Sequence, residues 1–156
     1  MTAFDFKNRT VFVAGGKDHL VFKSPDSLGY TAEPVDNPYR PSVHVLFGSA
    51  ALLWSGLLAG VLLTGMGGDG AKGLKTLRDA GFHTIAQDES SSAVYAMPKA
   101  AAAIGAASEI LPLRKIGPRL RELFGPEVKR QFPMPYALTS ARAPQTNPNE
   151  FGHRTD

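Results

Sequence analysis

With 156 residues, 43% of them hydrophobic, the chain is long enough to fold as one domain around a real core. It contains no cysteine, which excludes a disulfide framework, a thiolate metal site and a thiol nucleophile. The formal net charge of +3 comes from scattered Lys and Arg without a basic block of the kind that tracks phosphates, so nucleic acid is not an expected partner.

The start, Met1 to Arg9, is polar and lacks the apolar core of a signal peptide, which points to a cytoplasmic protein. Arg9-Thr10-Val11-Phe12-Val13-Ala14 and His19-Leu20-Val21-Phe22 are short β-type runs, and Gly15-Gly16-Lys17-Asp18 between them predicts a hairpin turn. Ser24 to Gly29 reads as a second turn and Tyr30 to Ala32 as a short strand. Asn37-Pro38-Tyr39-Arg40-Pro41 follows as an extended loop fixed by its prolines.

Ser42 is placed as an N-cap, and Val43, Leu46, Phe47, Ala50, Ala51 and Trp54 fall on one face of the helix it opens. No Asp, Glu, Lys or Arg occurs between Arg40 and Asp69, a stretch long enough to raise a membrane span of about 20 apolar residues. Its glycines and serines cut it into a buried helix and a buried strand, so no membrane insertion is expected.

The apolar run Val61-Leu62-Leu63-Thr64 has no alternation and predicts a parallel strand buried on both faces. It leads through Gly65-Met66-Gly67-Gly68-Asp69-Gly70 into a helix with Leu74 and Leu77 at helical spacing. Phe82 to Ala86 is the next strand, which makes the unit a βαβ crossover. Beyond Asp88 to Ser92, Pro98 and Lys99 to Ile104 form an Ala-rich helix ending at Gly105, Glu109-Ile110-Leu111 a short strand, and Leu120, Leu123 and Phe124 the core face of a last helix. From residue 125 to 156, prolines among polar residues predict a disordered tail, leaving residues 1 to 124 as the folded domain.

Ligands in parallel sheets sit at the carboxyl ends of the strands, which singles out the loop carrying Asp69. An Asp before a helix is a preferred N-cap, worth about 1 kcal/mol, but four glycines in six residues exceed what a cap needs. Gly65-x-Gly67-x-x-Gly70 after a strand, with Asp88 or Glu89 downstream, also matches a dinucleotide fingerprint for an NAD-type ligand. A carboxylate at Asp69 argues against it, because the amides meant for a pyrophosphate would already face an anion.

Three separated segments resemble the chemotaxis protein-glutamate methylesterase family, the CheB type: Val61 to Gly70, Gln87-Asp88-Glu89-Ser90-Ser91-Ser92-Ala93-Val94-Tyr95-Ala96-Met97-Pro98, and Tyr39-Arg40-Pro41-Ser42-Val43-His44-Val45-Leu46-Phe47. The resemblance implies a three-layer α/β domain with a mostly parallel, Rossmann-like sheet plus a β-hairpin, acting on glutamate methyl esters, and on glutamine amides, of methyl-accepting chemotaxis receptors. It makes Asp69 the catalytic carboxylate, gives Met66, Gly65 and Gly67 support of the oxyanion, and places Arg40 and His19 at the substrate cleft. It implies neither metal nor cofactor. The family's usual acid after Val43 is His44 here, and Leu52-Leu53-Trp54-Ser55-Gly56-Leu57-Leu58-Ala59 is more apolar than the family's connection.

Serine-type ester hydrolysis needs a hydroxyl, an imidazole, a carboxylate to orient it and amides to hold an oxyanion. The family's nucleophilic Ser and its His lie ahead of the hairpin, no G-x-S-x-G elbow occurs, and His19, His44, His83 and His153 adjoin no convincing serine. The chain is expected to be the C-terminal two-thirds of such a domain, lacking its opening strands and inactive alone, or a non-catalytic interaction module. Its sheet would expose an edge and an apolar face, inviting self-association or a second chain.

Overall fold

The computed structural model describes residues 4–5 and 11–125 of the chain. Three antiparallel strands come first: β1 (Phe4–Asp5), β2 (His19–Ser24) and β3 (Ser27–Thr31), in the order β1-β3-β2. Helix α1 (Val43–Leu53) leads to strand β4 (Ala59–Leu62), then α2 (Ala71–Asp79), β5 (His83–Gln87), α3 (Ala96–Ala103), β6 (Glu109–Leu111) and α4 (Leu113–Phe124). Strands β4, β5 and β6 form a parallel sheet in that order, with α2 and α3 as its crossovers. The α/β architecture read from the sequence is therefore present, with a three-stranded parallel sheet and an antiparallel hairpin.

The hairpin lies elsewhere than the sequence suggested. Phe22 pairs with Leu28 and Ser24 with Ser27, so the turn is Pro25-Asp26, and residues 11–15 form no strand. The turn is fastened by polar groups: Ser24 Oγ donates to Asp26 Oδ1 at 2.6 Å and lies 2.6 Å from Ser27 Oγ. The β-branched residues at 11 and 13 pointed to a strand, but Val11 and Val13 are more than 80% exposed, whereas Leu20, Val21 and Leu28 are buried. Burial chose the strand over local propensity.

Around the parallel sheet the elements read from the sequence are present. The uncharged stretch from Pro41 to Gly68 divides into α1 and β4, and among the described residues no helix is long and apolar enough to cross a membrane. Ser42 caps α1 and Ala50 on its inner face is buried, while Leu52 on the opposite face is 83% exposed. Helix α1 packs between β2 and α2, and α2 sends Leu74 and Leu77 fully into the interior. Burying each leucine stabilises by about 1.5–3 kcal/mol, so these two anchor α2 to the sheet. Around Leu74, the core gathers Leu62, Ala71, Ala86, Ala101 and Ala106.

Strand β5 is the one buried on both faces, from Thr84 through Gln87. In β4, Gly60 and Leu62 are buried while Ala59 and Val61 are half-buried, and Leu63 just beyond is 42% exposed. The difference from the expected two-sided burial follows from position, since β4 is an edge of the sheet and β5 its centre. On α4 the buried residue is Ile116; Leu120 and Leu123 are half-buried and Phe124 is exposed. The tail expected beyond residue 125 lies outside the described residues.

Candidate active site

The loop between β4 and α2 sits at the carboxyl end of the sheet, and its carboxylate does something the sequence did not reveal. Asp69 does not cap its own helix: the N-cap of α2 is Gly70, in the left-handed region at φ 84°, with no side-chain bond. Instead Asp69 caps α1. Its Oδ2 accepts the Val43 N–H at 2.7 Å, and its Oδ1 accepts the His44 N–H at 3.2 Å and the Ser42 hydroxyl at 2.8 Å. Helix α1 has no acidic residue in its own first turn, so Asp69 supplies from another element the negative group that a helix N-terminus favours. Ser42 is 3% exposed, and its Oγ also accepts the Val45 N–H at 3.4 Å.

Close packing accounts for Gly67 and Gly70 but not for Gly68, where a Cβ would meet nothing nearer than Ala100 Cβ at 3.9 Å. A Cβ on Gly70 would lie 2.8 Å from both Leu62 Cδ1 and Val43 Cγ1, and one on Gly67, at φ 83°, would lie 2.5 Å from the Tyr39 hydroxyl. The loop is thus clasped between α1 and Tyr39. That arrangement disfavours the dinucleotide reading, because Tyr39 covers the backbone a pyrophosphate would need to approach. Asp88, one of the two acids that reading offered for a ribose, accepts hydrogen bonds from Ser91 and Ser90. Those hydroxyls, Ser91 first, hold its carboxyl below the usual value.

The two strand-end loops are laced together. Gln87, fully buried at the end of β5, accepts the Thr64 N–H at 2.8 Å and donates to the Ser91 carbonyl at 2.6 Å. Thr64 Oγ1 accepts the Val94 N–H at 2.8 Å, Gly65 N–H donates to the Val94 carbonyl, and Met97 N–H donates to the Gly65 carbonyl. Gly65 is thereby fixed, while the Met66 side chain points outward, 81% exposed.

His19 and Arg40 have structural duties. His19 is fully buried and so lines no open cleft: Nδ1 accepts the Ser42 N–H at 3.1 Å and Nε2 donates to the Pro34 carbonyl at 3.2 Å. The 34–42 loop encloses this strand-start histidine, through the Pro34 carbonyl on one ring nitrogen and the Ser42 N–H on the other. The Arg40 guanidinium donates to the carbonyls of Lys17, Pro34, Val35 and Ala32 and lies 3.7 Å from Asp18, tying loops together. His44 lies beside Asp69, both lining a cleft of about 380 Å³ with Tyr39 and Lys72. Among the described residues no serine hydroxyl bonds a histidine ring, and no group of three His, Cys, Asp or Glu side chains converges as a metal site requires.

His83 lies at the other end of the sheet, at the start of β5, against Glu109 at the start of β6. Burial raises the Glu109 carboxyl, but the Arg119 hydrogen bond at 2.8 Å and charge outweigh it and leave Glu109 below the usual carboxylate value.

Residues 4–120 match the family model described as CheB methylesterase. The chain belongs to the CheB methylesterase family. It is 66% identical over 113 residues to a protein-glutamate methylesterase/protein-glutamine glutaminase of Mesorhizobium japonicum, covering 72% of this chain and 33% of that protein. A Bordetella avium protein of the same description is 56% identical over 122 residues, covering 78% and 36%. Among solved structures, the Thermotoga maritima CheB methylesterase catalytic domain superposes with a TM-score of 0.67 at 33% identity, over 72% of this chain and 61% of that one. The chain thus spans about a third of the length of the curated relatives it matches. The CheB segment present here includes the Asp69 loop, Ser42 and the Gln87 lacing.

Sequence reasoning placed Asp69 and Ser42 near a helix start but missed that they touch each other, and it missed Gln87. A polar side chain closing an otherwise apolar buried strand was the available signal for the latter.

Proposed function

We propose that this chain is the carboxylate-bearing part of a protein-glutamate methylesterase site, in which Asp69 orients the imidazole that activates a nucleophilic hydroxyl. The observation that carries the reading is the fixed Asp69 carboxylate, held by three donors at the carboxyl end of the sheet beside an open cleft. A carboxylate has about four acceptor positions. Three are occupied, and the one left, on Oδ2, is where an imidazole N–H would bond. The main chain around Met66, steadied through Gly65, contributes to the oxyanion hole. The hydroxyl and the imidazole come from outside these residues, in cis or from a second chain, and without them the 156 residues are inactive. The substrates are glutamate methyl esters, and glutamine amides, on the cytoplasmic part of chemotaxis receptors. The outer edge of β4, which pairs with no other strand among the described residues, is where the remaining part of the domain, or another copy of the chain, would attach.

The test is methanol release from a methyl-esterified receptor fragment. Two proteins are assayed: the chain alone, and a chimera in which its matched segment replaces the corresponding 113 residues of the Mesorhizobium japonicum enzyme. The chimera is expected to be active and the chain alone silent. Asp69→Asn in the chimera should reduce kcat by about 10⁴, the scale seen when a triad carboxylate becomes an amide. An unchanged kcat in Asp69→Asn would refute the role.

A further inference from the structure

We propose that Ser42 is the positioning residue for Asp69, an inference that rests on reading Asp69 as the carboxylate of the site. Of the three groups that hold Asp69, two are backbone amides present in any sequence, and Ser42 Oγ is the only side chain among those described. Without the hydroxyl, the two amides would still attract the carboxylate, but Oδ1 would keep only the longer bond from the His44 N–H at 3.2 Å. The group could then rotate about its last torsion and exchange its oxygens. The hydroxyl fills the second acceptor position of Oδ1, which among the described residues leaves the free position on Oδ2.

Ser42 is itself held from behind. Its N–H donates to His19 Nδ1, whose Nε2 donates to the Pro34 carbonyl, so a buried chain of hydrogen bonds runs from the 34–42 loop through His19 and Ser42 to Asp69. In that chain the Ser42 hydroxyl donates outward to Asp69 and accepts from Val45. Misplacing a catalytic group by about 1 Å can cost on the order of 10²-fold in rate. Ser42 does not touch substrate, and its effect is expected on the chemical step alone.

The test uses the chimera together with the intact chain. In the chimera, Ser42→Ala should lower kcat about 10- to 100-fold with KM within about twofold. Ser42→Thr, which keeps the hydroxyl, should recover most of the rate. Ser49→Ala removes a different hydroxyl of α1, one that accepts from Phe22 N–H and donates to the Leu46 carbonyl, and should leave kcat unchanged. All variants are assayed where circular dichroism shows them folded. A kcat for Ser42→Ala within twofold of the parent, with Asp69→Asn still inactive, overturns the positioning role and leaves the role of Asp69 standing. Full activity in Asp69→Asn overturns the reading on which both rest. In the intact 156-residue chain, amide exchange at Val43 and His44 should accelerate about tenfold in Ser42→Ala and return to the parent rate in Ser42→Thr. Unchanged exchange in Ser42→Ala overturns the proposal even if the chimera has no activity.

Discussion

Replacing Gln87 by Leu keeps the volume of a fully buried side chain and removes the bridge between the two strand-end loops. Three hydrogen bonds disappear: from Thr64 N–H at 2.8 Å, and to the Ser91 carbonyl at 2.6 Å and Ser91 Oγ at 3.3 Å. Ser91 Oγ keeps Asp88 and the Leu113 N–H as partners, so the groups left wanting are the Thr64 amide and the Ser91 carbonyl. An unsatisfied buried polar group costs about 1–3 kcal/mol. Thr64 is exposed as a residue and Ser91 half-buried, so water can reach both, which favours the lower end and a total of about 2 kcal/mol. With a urea dependence of about 1–3 kcal/mol/M, the unfolding midpoint should fall by about 1 M. Trp54, edge-on to Phe22 at 5.6 Å between ring centroids, is the fluorescent reporter. A midpoint within 0.3 M of the parent at unchanged slope, a shift smaller than about 0.5 kcal/mol, would refute the view that Gln87 holds the loops together.

Gly70→Ala forces a left-handed backbone on a residue with a Cβ and presses it against Leu62 and Val43, so a loss of about 2–4 kcal/mol is expected by the same urea measurement. Asp69→Ala leaves the Val43 and His44 amides without their acceptor and should cost about 1–2 kcal/mol, the scale of a lost N-cap, even in the chain alone. Glu109 has a folded pKa below its ordinary value of 4.5, so the stability it contributes is present above about pH 4.5 and lost as pH falls through the lower folded value; Glu109→Gln should flatten that part of the stability–pH curve. The outer edge of β4, unpaired among the described residues, should make sedimentation of the chain alone concentration-dependent; a monomer throughout the micromolar range would count against it.

The sequence showed those parts of the fold that depend on neighbours along the chain. Ser42 stood before an apolar helical face, Leu74 and Leu77 recurred at helical spacing, and the first crossover unit announced itself by strand, glycine turn and helix. What depended on distant partners was hidden. Asp69 lies next to a helix start, and proximity suggested the cap of α2; only the folded chain brings it to α1, 26 residues away from Val43 in sequence. Thr10 to Val13 has strand-forming residues, yet the strand partner of β2 is the run after Pro25-Asp26, because that pairing buries Leu20, Val21 and Leu28. His19 and Arg40 were placed at the cleft by the family resemblance, and the hydrogen bonds they make to carbonyls and an amide of the neighbouring loops join residues far apart in sequence and so could not be read from it. Resemblance supplied the chemistry of Asp69, but not the side chain that steadies it.

The carboxylate proposed to orient an imidazole is also the one that holds the start of α1. Selection for folding alone would therefore preserve it in a descendant that had stopped turning over substrate, together with Ser42. In a lineage that sheds activity, the hydroxyl and imidazole positions should drift first and this acid last. Its presence in a newly sequenced relative reports an intact loop, and the diagnosis of a working esterase has to be made at the other two members.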